Sequence, residues 1–161
     1  MRLTDGKQQI ILATKDGQAV RFQEDDVRPT GRSAQGVRGV LLKENDEVIG
    51  MVVAEDLADL LTITENGYGK RTPISDYRLI SRGGSGVINI QCTDRNGPVA
   101  TICSVKDGDE VMAITKGGVT IRIPVADISI IGRNTQGVRI MRLDPSDKVV
   151  SLTRVQGPSA P

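Results

Sequence analysis

Few groups in this chain are able to do covalent chemistry. It contains no histidine, so the commonest general base and metal ligand is missing. Ser-His-Asp and Cys-His mechanisms are therefore excluded, and no cluster of carboxylates or lysines takes their place. The two cysteines, Cys92 and Cys103, lack metal-ligand spacing and read as small core residues of a protein in a reducing compartment. Tyr68 and Tyr77 fall in no repeated position, so neither is expected to act as a nucleophile. What remains is the chemistry of charge. Residues 81–86 read SRGGSG, an arginine among glycines, and the flanking sequence echoes it as GRSAQG (31–36) and GRNTQG (132–137). Backbone N–H groups freed by glycine, beside a guanidinium, suit a phosphate oxygen. The same text also suits a plain turn: Gly83 and Gly84 tolerate positive φ, and Gly36, Gly86 and Gly137 close their loops before a strand.

These loops belong to a repeat. The stretches ILATKDGQAVRF (11–22), LTITENGYGKRT (61–72) and MAITKGGVTIRI (112–123) align without gaps. Thr14, Thr64 and Thr115 share a column at spacings of 50 and 51 residues. Gly17, Gly67 and Gly118 follow, then Arg21, Arg71 and Arg122, then Asp26, Asp76 and Asp127. From the threonine to the glycine that closes each loop the distance is 22 residues in all three copies. Each unit reads as β structure: an apolar strand, a turn of KDG, ENG or KGG type, and a second strand. In the outer copies that second strand alternates, with Val119, Ile121 and Ile123 on one face and Arg122 on the other. Val20 and Phe22 oppose Arg21 in the same way. The middle copy departs, with Lys70 and Thr72 at the apolar positions. A third strand is expected after each glycine loop (GVRGVLL, GVINIQC, GVRIMRL) and a fourth after a charged turn. The expectation is an all-β, propeller-like array of three blades at 9–55, 60–105 and 111–155, with 156–161 as a flexible tail. The aspartate column is expected to anchor turns.

Composition agrees with one domain. The 161 residues are 38% hydrophobic and 25% charged, with only 2% aromatic, so the core must be aliphatic. Net charge is +1, so basic character has to come from clustering. The recurring arginines supply it: Arg21, Arg71 and Arg122 on the second strand, with Lys70 beside Arg71, and Arg32, Arg82 and Arg133 in the loops. Arg28 and Arg78 stand before the loops, and Arg38 and Arg139 after them. Repeated at one place per blade, these side chains predict an exposed basic stripe that follows a phosphate backbone without reading bases. No metal or cofactor is expected. No apolar stretch approaches the roughly 20 residues of a membrane span, and no targeting segment is visible.

The 50-residue unit, the loop pattern, ENGYGKRT (65–72) and ISIIGRNTQGVRIMRL (128–143) resemble the C-terminal domain family of the DNA gyrase A protein. The resemblance covers nearly the whole chain. It implies a β-pinwheel whose neighbouring blades exchange strands, of which this chain corresponds to the last three of six. It further implies a non-enzymatic part of an ATP-dependent type IIA topoisomerase. Such a part contacts and bends double-stranded DNA in support of negative supercoiling, beside the rest of the gyrase A protein and the gyrase B protein, in the bacterial cytoplasm at the nucleoid. The family's first-blade box, Q-R-R-G-G-[KR]-G, has only a degenerate counterpart here: ISRGGSG lacks the Gln-Arg pair and has Ser85 in place of a basic residue. Contact with DNA without wrapping is therefore the expectation. The alternatives are the equivalent domain of topoisomerase IV and a protein-interaction propeller whose arginines only solvate the rim. The ends of a three-blade arc would expose strand edges, so self-association is a further expectation, although polar connectors favour an isolated arc.

Overall fold

The computed structural model describes residues 1–156, so the expected tail at 156–161 lies outside them except for Gln156. The chain folds as three antiparallel sheets. The first repeat supplies β1 (Gln9–Thr14), β2 (Gln18–Gln23) and β3 (Val48–Ala54). The second supplies β4 (Asp59–Thr64), β5 (Tyr68–Pro73), a two-residue β6 (Val87–Ile88) and β7 (Val99–Val105). The third supplies β8 (Glu110–Thr115), β9 (Thr120–Pro124), β10 (Val138–Arg139) and β11 (Val149–Val155). A one-turn 3₁₀ helix follows each second strand, at Glu24–Asp26, Ile74–Asp76 and Val125–Asp127, and the aspartate column closes it.

The local cause of each hairpin is legible. The turn glycines Gly17, Gly67 and Gly118 all have φ between +83° and +88°, a region where a side chain is strained. The threonine column locks the same turn from within: the hydroxyl oxygens of Thr14, Thr64 and Thr115 accept the N–H groups of Gln18, Tyr68 and Val119 at 3.2, 3.3 and 3.1 Å. Each threonine is buried, so the bond also gives its hydroxyl a partner away from water.

The sheets run β3-β1-β2-β6, β7-β4-β5-β10 and β11-β8-β9. The strand after the glycine loop does not join its own repeat. β6, from the second repeat, pairs with β2 of the first, Val87 facing Ala19, and β10 of the third pairs with β5 of the second, Val138 facing Gly69. The expected strand over 37–42 is absent: its backbone meets only the second glycine loop, where Gly39 O accepts Gly83 N–H at 2.7 Å and Leu41 N–H donates to Gly84 O at 2.9 Å, and no strand among the described residues runs alongside it.

The central strands carry the core. Ile11 and Ala13 of β1 pack with Leu60, Val99 and Ile102 of the second repeat and with Tyr77 and Ile90 of its loop. Leu61 and Val105 pack in turn against Val111, Val125 and Ile128 of the third. Each of these Val, Leu and Ile side chains contributes roughly 1.5–3 kcal/mol on burial. The clusters span neighbouring sheets, so one repeat completes the core of the next. Cys92 and Cys103 are free thiols, partly buried, as small core residues should be.

Candidate nucleic-acid interface

The arginine column turns inward. Arg71 is only 5% exposed. Its Nε donates to the carbonyl of Ile128 at 2.8 Å, and its NH1 reaches the carboxylates of Asp59 at 3.2 Å and Asp107 at 2.7 Å. Arg21, partly buried, donates from NH1 to the carbonyls of Ile74 and Tyr77, both at 3.0 Å, and from Nε to Gln9. Each side chain therefore ties its own strand to the 3₁₀ turn of the following repeat. The expectation of an exposed stripe at Arg21 and Arg71 does not hold. Strand alternation points Arg21 away from Val20 and Phe22, and Arg71 holds the same column, but the next repeat covers that side of both. Only Arg122, at the last position of the column, is exposed, and it pairs with Glu110.

Lys70 is also withdrawn from solvent. It is 1% exposed, with its amine on Thr72 Oγ1 at 2.7 Å and the carbonyl of Gly132 at 2.9 Å. Burial, reinforced by the charge of Arg133, pushes its pKa down to about 8. It sits beside a buried polar group in which Tyr77 Oη donates to Asn89 Oδ1 at 2.6 Å and Asn89 Nδ2 donates to Thr62 Oγ1 at 3.1 Å. The polar residues that interrupt the apolar pattern of the middle repeat thus serve the contact with the third.

The glycine loops are laid on one another like shingles. Arg82 donates from Nε to the carbonyl of Asp26 at 2.7 Å and from NH1 to the carbonyl of Arg38 at 2.9 Å, while Gly83 N–H reaches the carbonyl of Gly39. The third loop repeats the move: Arg133 donates to the carbonyl of Ile88 at 2.9 Å and lies 6.0 Å from the Tyr77 ring centre. Gly86 and Gly137, at φ +77° and +73°, bring these loops against β2 and β5. A Cβ on either would fall within 2.8 Å of a carbonyl oxygen, that of Ala19 or Gly69. Gly83 takes a positive φ of +83° and Gly84 does not, while Gly36 sits at +79° in open space. Arg82 and Arg133 are therefore clamps between repeats as much as surface charges. Arg28, Arg32, Arg38 and Arg78, along the same row of loops, are exposed, and their side chains form no ion pair among the described residues.

A second basic cluster surrounds Tyr68. Arg139 NH2 donates to its hydroxyl at 2.8 Å and Arg95 Nε at 3.3 Å, with the guanidinium carbons 5.3 and 5.1 Å from the ring centre. The hydrogen bond from Arg95, then that from Arg139, holds the phenol below its ordinary pKa. Arg142 and Lys148 line the same depression, as do Asp144 and Asp147. Of these cations the sequence pointed only to Arg139. Arg95, Arg142 and Lys148 occupy no repeated column, so periodicity carried no signal for them.

A family model described as the DNA gyrase C-terminal domain, beta-propeller, matches residues 8–55, 58–111 and 109–156. The chain belongs to that family. It is 46% identical to the DNA gyrase A protein of Staphylococcus aureus (strain MRSA252) over 158 residues, which cover 97% of this chain and 18% of that protein. It therefore spans less than a fifth of the relative's length. A solved DNA gyrase A C-terminal domain matches with a TM-score of 0.89 at 30% identity, covering 94% of this chain and 52% of that one. A solved C-terminal domain of DNA topoisomerase IV matches with a TM-score of 0.90 at 25% identity, covering 96% of this chain and 49% of that one. Shape alone does not separate the two enzymes. Sequence favours the gyrase A domain over its topoisomerase IV counterpart.

Proposed function

We propose that this gyrase-type domain contacts duplex DNA through the exposed arginines of its shingled loops, without reading base sequence. The observation that carries this reading is that Arg28, Arg32, Arg38 and Arg78 are solvent-exposed and free of ion pairs among the described residues, along one row of stacked loops. Such charges have no structural partner to satisfy, and they suit phosphate oxygens spaced along a backbone. Arg82, Arg133 and Arg139 keep part of their donors outward while clamping the loops in place. Arg21, Arg71 and Lys70 act indirectly, by holding the repeats that carry the loops, and Arg122 joins this reading only as an exposed charge at one end.

In the parent enzyme, beside the rest of the gyrase A protein and the gyrase B protein, the domain would bend a DNA segment for ATP-driven strand passage that leaves negative supercoils. The chemistry of cleavage and ATP hydrolysis would belong to those other parts. The site of action would be the bacterial cytoplasm, on the nucleoid. Because ISRGGSG is a degenerate form of the family box, this chain is expected to touch and gently bend DNA without wrapping it. A gel-shift with random duplex at about 50 and 200 mM salt tests the reading. Binding that is indifferent to sequence and weakens steeply with salt supports it, and absence of binding at low salt overturns it.

A further inference from the structure

The cluster around Tyr68 breaks the repeat at a place where the backbone keeps it. β10 pairs with β5 so that Arg139 faces Tyr68, and β6 pairs with β2 in the same register, where Ile88 faces Gln18. Met141 N–H meets the Gly67 carbonyl as Ile90 N–H meets that of Gly17, which makes Arg142 the counterpart of Gln91. Lys148 O accepts Lys116 N–H as Pro98 O accepts Glu65 N–H, which makes Lys148 the counterpart of Pro98. The first joint thus forms with Gln18, Ile88, Gln91 and Pro98 where the second carries Tyr68, Arg139, Arg142 and Lys148. Joining two repeats does not require these cations.

Their partners within the protein do not account for them either. Arg95, Arg139, Arg142 and Lys148 form no ion pair among the described residues. Arg95 and Arg139 both donate to one neutral oxygen, the Tyr68 hydroxyl, so two like charges meet at a single acceptor. Lys148 donates to Asn66 Oδ1, which is also neutral. Of the two carboxylates on the depression, Asp147 Oδ1 is taken up by the N–H groups of Gly117 and Lys148 at 2.8 and 2.9 Å, and Asp144 is exposed. Four cations against two carboxylates leave an excess of two positive charges in one concavity. Tyr68 adds a donor. It is 4% exposed and lines the depression, its oxygen accepts from both guanidiniums, and its own proton meets no acceptor among the described residues.

We propose that this depression binds the terminal phosphoryl group of a small phosphate monoester. Arg95, Arg139 and Arg142 donate through the guanidinium N–H groups they have left, Lys148 supplies charge, and Tyr68 Oη gives its free proton to a phosphate oxygen. A monoester carries close to two negative charges near pH 7, which matches the excess, whereas a backbone diester carries one. The depression measures about 470 Å³, the size of a small-ligand site. The two arginines that hold the phenol below its ordinary pKa also make it the stronger donor. Only Arg139 is shared with the DNA reading, so either reading can fail without the other.

The experiment is a titration of the full chain with methyl phosphate, followed by NMR of backbone amides and arginine side chains, with dimethyl phosphate and random duplex as separate arms. Methyl phosphate should shift the signals of Asn66, Tyr68, Arg95 and Arg139 saturably and bind about tenfold more tightly than dimethyl phosphate. Tyr68→Phe, which keeps the buried ring, and Arg142→Gln, at an exposed position, should each weaken methyl phosphate about tenfold with the circular dichroism spectrum unchanged. Absence of a saturable shift, equal affinity for the two phosphates, or undiminished binding in both folded variants would overturn the site. Shifts of these signals by duplex and not by methyl phosphate would overturn it as well, and would give the depression to the DNA backbone.

Discussion

The Arg71 guanidinium bonds the carbonyl of Ile128, 57 residues away, at 2.8 Å. The same side chain meets Asp59 of its own sheet and Asp107 of the connector before the third repeat. One arginine therefore joins the strand that bears it, the neighbouring strand and the next repeat.

That relationship sets the first prediction. Arg71→Ala leaves a buried carbonyl unpaired and Asp59 without its partner, and should cost about 3 kcal/mol in urea denaturation. Arg122→Ala, at an exposed pair with Glu110, should cost less than about 1 kcal/mol. Equal losses would mean that the column arginines do not join repeats.

The repeat, the hairpins and the turn glycines were legible in the sequence because each depends on local geometry. Thr14, Thr64 and Thr115 recur because each caps its own turn, and a spacing of 50 residues exposes that directly. The arginine column was legible as a column but not as a contact. Alternation along β2 places Arg21 opposite Val20 and Phe22, Arg71 holds the same column on β5, and only the following repeat decides whether that side meets water. Residues 37–42 carry a strand-like pattern, yet a strand exists only where an edge receives it. Lys70 and Thr72 broke the apolar pattern visibly, and the reason lay in Gly132 and Ile131, whose carbonyls they hold.

Gly36 and Gly86 separate backbone strain from docking. Both have positive φ, so alanine at either should cost about 1 kcal/mol. At Gly86 the new Cβ would also lie 2.3 Å from Ala19 O, so Gly86→Ala should lose at least about 2 kcal/mol more than Gly36→Ala in dilute solution. Thermal unfolding of the two variants at low concentration decides it. Matching midpoints would show that the second loop does not press on β2.

Lys70 gives a pH signature. Its folded pKa of about 8 lies below the ordinary 10.5, so between these values the unfolded chain binds the extra proton and folding gains as pH rises. Below pH 8 the amine is charged in both states and the burial penalty is felt in full. Relative to Lys70→Met, the parent chain should therefore gain stability from about pH 8 to 10.5 and hold a constant offset below about pH 7. A difference that is flat across the whole range would place the amine in solvent.

On the proposed reading, exposed loop arginines meet phosphate while buried column arginines hold the scaffold. The salt dependence of duplex binding tests it most directly. Arg28 and Arg78 are the sharpest probes, because Arg78 remains exposed even where its loop is docked. Each phosphate contact removed should lower the slope of log K against log salt by about 0.9 in magnitude. Arg28→Ala with Arg78→Ala should lower it by that amount per contact, with fold and sequence indifference intact. An unchanged slope in a folded double variant would contradict the claim.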